Sequence, residues 1–183
     1  MIINWYGGSC FKIATPDFAV ITDADSSASG GRLKGDLFVK TESDLEEAIN
    51  NKEDHVILGP GEYEFQGVKV RGQKETEEKD KIITAYKIIF EDIKFGLIPM
   101  SSEMLSEEAA DILSDVDILV VPGNEFGIKF TKRIGPKIVI PADGNQKKFA
   151  TDFGQTVEPE EKLVIKKKDL EGMENTKVVI LNK

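Results

Sequence analysis

Histidine and cysteine are almost missing from this chain, with one of each among 183 residues. Structural zinc sites are built from thiolates and imidazoles, and catalytic zinc sites ordinarily take at least two imidazoles and leave a position open for water. One histidine and one cysteine supply neither. A lone cysteine, Cys10, also excludes an intramolecular disulfide. No apolar run approaches the ~20 consecutive residues that a membrane-spanning helix needs. The first residues carry neither the basic start nor the apolar stretch of a signal peptide. We therefore expect a cytoplasmic protein with no membrane partner. Positive charge is in the minority, 24 basic residues against 33 acidic ones, for a formal net charge of -9. That balance opposes a polyanionic partner at long range, so nucleic acid is set aside. The short basic runs Lys147-Lys148 and Lys166–Lys168 carry no motif and read as solvated faces.

What is present is a dense alternation of short apolar runs and turn residues. The length suits one domain spanning 1–183 with a two-layer core. Early strands are expected over Ile2–Trp5, Phe11–Ala14, Phe18–Thr22 and Leu37–Lys40, separated by Gly, Ser and Pro. "SDLEEAIN" at 43–50 has a capping serine and predicts a short helix. "HVILGPGEYEFQGVKVRG" and "KIITAYKIIFEDIKFGLI" predict further strands, with the charged stretch Lys74–Lys81 as a solvated hairpin tip. In "SEEAADILSD", Ser106 caps a helix whose Leu105, Ala109, Ile112 and Leu113 share one face. "VDILVVPG" then reads as a strand buried on both sides. A helix across Phe126–Ile134, strand "KIVIP", helix "NQKKFATDFG" and strands near Leu163–Ile165 and Val178–Leu181 complete the pattern. Strands first, then helices between strands, predict an α/β protein with two sheets packed face to face and helices outside.

Few residues offer chemistry. His55 sits beside a predicted strand and reads as structural or surface. Cys10 follows the Gly7-Gly8-Ser9 turn; a reactive thiol needs a neighbouring base or cation, and the sequence pairs it with none, so it reads as a small buried apolar residue. Ser9 likewise lacks an evident base. Glu62, Tyr63 and Glu64 alternate across a strand. Such a pair of carboxylates suits acid–base work, and equally an edge strand with one solvated face, which is the favoured reading.

The segments Tyr6-Gly7-Gly8-Ser9-Cys10-Phe11, with a following strand that ends at Asp23, and "GPGEYEFQGVKVRG" (59–72) resemble the metallo-β-lactamase fold superfamily, in its short, stand-alone, lactonase-like branch of metal-dependent hydrolases. "DVDILVVPG", "GPKIVIPADG" and "EPEEKLVIKKKDL" resemble its core strands and C-terminal edge. The resemblance covers about Ile2 to Leu181 and implies a four-layer αββα sandwich of two mixed sheets. It also implies a His-x-His-x-Asp-His loop, which falls on "KTESDLEE" and places Glu42, Asp44, Glu46 and Glu47 at the ligand positions. A later histidine would lie near Gln73–Thr76, the bridging aspartate at Met100, the last histidine at Asp143, and the histidine of the opening turn at Gly8.

Two functions follow. The favoured one is a degenerate, non-catalytic member of this hydrolase fold, without a cofactor, that binds an unknown small molecule or protein; exposed edge strands suggest a homodimer. The alternative is a hydrolase of esters, lactones or phosphoesters in which Asp23, Asp25, Glu42, Asp44, Glu46, Glu47 and Asp143 ring a hard cation, Mg²⁺, Mn²⁺ or Ca²⁺. Against it, Glu46 and Glu47 also read as ordinary exposed acids near a helix N-terminus.

Overall fold

The structure, a computed structural model, describes residues 1–24, 33–78 and 80–183. From the N-terminus the chain runs β1 (Ile2–Gly7), β2 (Cys10–Ala14), β3 (Ala19–Thr22), β4 (Leu37–Val39), β5 (Glu42–Asp44), α1 (Leu45–Asn50), β6 (Val56–Ile57), β7 (Gly61–Phe65), β8 (Val68–Glu78), β9 (Lys81–Phe90) and β10 (Ile93–Leu97). It continues with α2 (Glu107–Leu113), β11 (Ile118–Pro122), α3 (Glu125–Ile134), β12 (Ile138–Ala142), α4 (Gln146–Asp152), β13 (Leu163–Val164), α5 (Lys167–Glu171) and β14 (Lys177–Val178).

Two mixed sheets result. The first has the order β13-β1-β2-β3-β4-β6, antiparallel as far as β3 and parallel beyond it. The second has the order β14-β12-β11-β10-β9-β8-β7, parallel from β14 to β10 and antiparallel from there on, with β5 also paired to β9. The period of two along β11 shows how the layers separate. Ile118 and Val120 join the core between the sheets with Ile3, Phe11, Val39, Tyr86 and Ile140. Leu119 and Val121 turn the other way, against Ala109, Leu113, Phe130 and Phe149 of α2, α3 and α4. Burial on both faces is why this strand is a continuous apolar run.

Local chemistry sets the helix ends. The Ser106 hydroxyl accepts from the Ala109 amide at 3.1 Å, and the Asn124 side chain accepts from the Gly127 amide at 3.0 Å, satisfying donors that α2 and α3 leave open. Helix α3 stops at Gly135, whose φ of 65° suits a residue without Cβ.

Two sequence expectations are corrected. The helix expected from Ser43 begins at Leu45, because Ser43 and Asp44 pair with Ile82 and Lys81 of β9 and the buried Ser43 hydroxyl donates to the Leu58 carbonyl. The hairpin tip expected over Lys74–Lys81 shrinks to its last residues, because β8 runs on to Glu78 with β9 as its ladder. The Lys166–Lys168 run is largely solvated, as expected, with Lys166 and Lys168 exposed. It enters α5, where Leu170 is buried and the Lys167 ammonium bonds Asp117 at 2.8 Å.

Candidate functional site

Strands β3 and β4 are parallel, and their C-terminal ends meet where the chain crosses from the first sheet to the second. In open α/β sheets this end of the strands is where ligands sit. Asp23 follows β3 with a φ of 41°, a left-handed conformation that costs a side chain strain. The bend aims its carboxylate at Thr41, just past β4. One oxygen accepts from the Thr41 amide at 2.6 Å and the other from the Thr41 hydroxyl at 2.8 Å. The Asp23 amide itself donates to the Val39 carbonyl at 2.8 Å. The Thr41 carbonyl accepts from the Thr84 amide of β9, also at 2.8 Å. Thr41, 2% exposed, thus spends its amide, hydroxyl and carbonyl on joining the sheets, with Asp23 as the pin.

Above this joint lies an open cleft of about 520 Å³ lined by Ser9, Asp23, Ala24, Lys40, Thr41, Glu42 and Lys81. Burial pushes the Asp23 carboxyl up to about 6, against the lowering pull of hydrogen bonds from Thr41 and Ser9; the Glu42 charge adds to the rise. Ser9 therefore does have a carboxylate neighbour, one that its sequence context did not reveal. The Glu42 carboxylate accepts from the Ser101 hydroxyl at 2.5 Å. The Lys40 ammonium meets Glu47 at 2.7 Å. Among these groups, both carboxylates and one ammonium are committed to partners within the chain.

The remaining site residues are scattered. Gly8 is exposed with a φ of 53°, and its carbonyl accepts from the Trp5 indole at 2.8 Å. Asp44 is the exposed residue before α1, and no side-chain cap bond forms there. Glu46 is exposed, and its carbonyl accepts from Asn50. Glu47 lines a separate, wider groove of about 730 Å³ beside α1. Met100 packs on the core between the sheets, and the next residue supplies the Ser101 hydroxyl. Asp143 is exposed past β12 with a φ of 57°. Asp25 lies outside the described residues. Among the described residues, the cleft lining thus contains Ser9, Asp23 and Glu42 and leaves out the other predicted positions. Thr41, Ser101 and Lys81 were missed; only the proximity of Thr41 to Glu42 in sequence could have pointed to one of them.

His55 is on the surface, edge-on to Phe38 at 6.2 Å between ring centres and 3.4 Å from the Glu53 carboxylate. Cys10 is buried.

The sequence profile of a beta-lactamase superfamily domain matches residues 2–143. The chain belongs to that family. Its fold is similar to that of a protein from Thermotoga maritima described as a candidate Zn-dependent hydrolase of the metallo-β-lactamase superfamily, with 21% identity, a TM-score of 0.75 and coverage of 98% of this chain and 97% of the other. It is also similar to Igni18, a metallo hydrolase from the archaeon Ignicoccus hospitalis, with 12% identity, a TM-score of 0.61 and coverage of 90% and 99%. The metallo-β-lactamase fold protein YhfI of Bacillus subtilis shares 10% identity, a TM-score of 0.63 and coverage of 100% and 96%. At these identities the likeness is one of fold. No curated protein matches the chain.

A metallo-β-lactamase fold implies a metal, and the donors among the described residues do not fit one. Among the described residues no group of three or more His, Cys, Asp or Glu side chains is placed to hold an ion. At the cleft itself both oxygens of Asp23 already accept hydrogen bonds from Thr41.

Proposed function

We propose that this family member is a non-catalytic binding or assembly module of the cytoplasm, in which the zinc-binding histidines of the hydrolases have been lost. The observation that carries the reading is that both carboxylates of the cleft are bonded within the chain. Asp23 is spent on Thr41, Glu42 on Ser101, and Lys40 on Glu47. A hydrolytic metal site needs the reverse, donors that converge on a common point and a coordination position left for water. Here the carboxylates hold the scaffold together, and the Gly7-Gly8-Ser9 turn, which lends Ser9 to the cleft, is a wall inherited from a metal-binding fold. One histidine in the whole sequence supports the same reading.

The test is the metal content of purified protein, by elemental mass spectrometry before and after exposure to zinc, manganese, magnesium and calcium. The expected result is far less than one ion per chain for each metal, with no turnover of ester, lactone or phosphodiester substrates. Stoichiometric retention of any one ion would overturn the reading, and retention of Mg²⁺, Mn²⁺ or Ca²⁺ would favour a carboxylate-ligated hydrolase instead.

A further inference from the structure

Strand β7 is the last of its sheet, and among the described residues no strand pairs with its outer side. It joins β8 through Gln66 and Gly67, with φ of 47° and 82°, the left-handed pair of a type I′ hairpin turn. Such a turn makes Phe65 and Val68 a hydrogen-bonded pair. Alternation along the antiparallel ladder gives the pairs Tyr63–Val70 and Gly61–Gly72 the same status. The amide and carbonyl groups of Glu62 and Glu64 therefore point away from β8, toward the open edge.

This edge is preformed. The Tyr63 hydroxyl folds back to donate to the carbonyls of Gly59 and Pro60, both at 3.0 Å, and the Tyr86 hydroxyl reaches the same Gly59 carbonyl at 3.0 Å. Beyond it runs a groove of about 490 Å³, whose far wall carries Lys52, Glu53, Asp54 and Ile57 and whose near wall carries Tyr63 and Glu64. The groove holds one ammonium, Lys52, and three carboxylates, Glu53, Asp54 and Glu64; across the ladder the Arg71 guanidinium lies 3.5 Å from the well-exposed Glu62 carboxylate, and Lys69 stands opposite Glu64.

We propose that β7 accepts a basic, extended segment of another protein as an added strand, with Lys or Arg at alternate positions facing Glu62 and Glu64. The inference rests on the binding-module reading and names the kind of partner. Main-chain hydrogen bonds would supply the docking, and charge would supply the choice of partner. A second copy of this chain is disfavoured at this edge, because an antiparallel β7–β7 pairing would set the Glu62 and Glu64 side chains of each copy against those of the other, and directly opposed like charges are destabilising. The net charge of -9 points to a basic partner as well.

The experiment titrates the full chain with a short capped peptide alternating lysine and valine, beside a glutamate–valine peptide and the lysine peptide with a central proline. Binding is read by fluorescence anisotropy, and amide hydrogen exchange is followed at Glu62 and Glu64. Expected are binding of the lysine peptide alone, new protection of those two amides, and affinity weakened roughly fivefold by Glu62→Gln with Glu64→Gln, which leave the strand intact. Absence of binding would overturn the proposal. So would equal binding of the proline peptide, which marks charge attraction without strand pairing, or binding with no added protection at Glu62 and Glu64. Metal retention would overturn the non-catalytic reading and leave the titration as it stands, whereas a failed titration removes only the edge inference.

Discussion

The cleft and the β7 edge make opposite use of the same acidic residue types. At the cleft, the Asp23 carboxylate bonds the buried Thr41, and the part-exposed Glu42 bonds Ser101. At the edge, Glu62 and Glu64 are exposed, with only the exposed Arg71 guanidinium 3.5 Å from Glu62, and their main-chain groups point to the open side of the sheet. A polar group bonded within its own chain contributes to stability, and one left over at a rigid edge is available to a partner. The same residue type is thus spent on the fold in one place and left to solvent in the other.

The comparison breaks most sharply at Thr41. Thr41→Val keeps the shape and removes the hydroxyl that donates to Asp23, which lowers stability by about 2 to 3 kcal/mol, since hydrogen bonds to charged groups are the strong ones. Thermal melting checks it, and an unchanged melting temperature would mean that the joint does not bear on stability. Acidity gives the next effect. The Asp23 carboxyl titrates near 6 in the folded chain, against 3.8 ordinarily. Between those values the folded chain holds a proton that the unfolded chain has released. Stability therefore falls as pH rises through that window, by about 3 kcal/mol, and the Asp23 contribution is level above it. Asp23→Asn flattens this slope and raises the melting temperature at pH 7; an Asn variant with the parent slope would assign the effect to another group.

On the edge side, Gly61 has a φ of 146°, and a Cβ there would lie 3.1 Å from the Tyr63 ring. Gly61→Ala costs about 1 kcal/mol, seen as faster exchange of the Tyr63 amide, while the cleft residues stay as they are. The smallest effects belong to the acids outside the cleft. Asp44→Ala and Asp143→Asn change stability by no more than about 0.5 kcal/mol, and EDTA leaves the melting curves of both superimposed on the parent. Asn is chosen at 143 because it tolerates the left-handed backbone there. A melting shift on adding Mn²⁺ that both variants abolish would reverse the assignment of these residues.

Much of the fold was legible because its signals are local. The apolar run of β11, the capping serine of α2 and the Glu91-Asp92 turn, with φ of 52° and 60°, each announce themselves within a few residues. Ser43 and Lys74–Lys81 misled because β9 supplies ladder partners that outweigh local propensity and charge. The site was legible only as a shortage of ligands. That Asp23 would be spent on Thr41 depends on two parallel strand ends meeting 18 positions apart, and Ser101 reaches Glu42 across 59 positions. The edge position of β7 was anticipated from Glu62-Tyr63-Glu64. Which of its main-chain groups stay free depends on the two-residue turn, which fixes the register.

Cys10 opens β2 one residue after Ser9 and is 3% exposed. As the one thiol in the chain, it is a built-in clock. A disulfide reagent can modify it only when the structure around the start of β2 opens, so the reaction rate reports how often that happens, at one defined point and without an engineered label. Run on Thr41→Val and the parent side by side, the same reaction separates a joint that has merely weakened from one that swings open many times before the whole molecule unfolds.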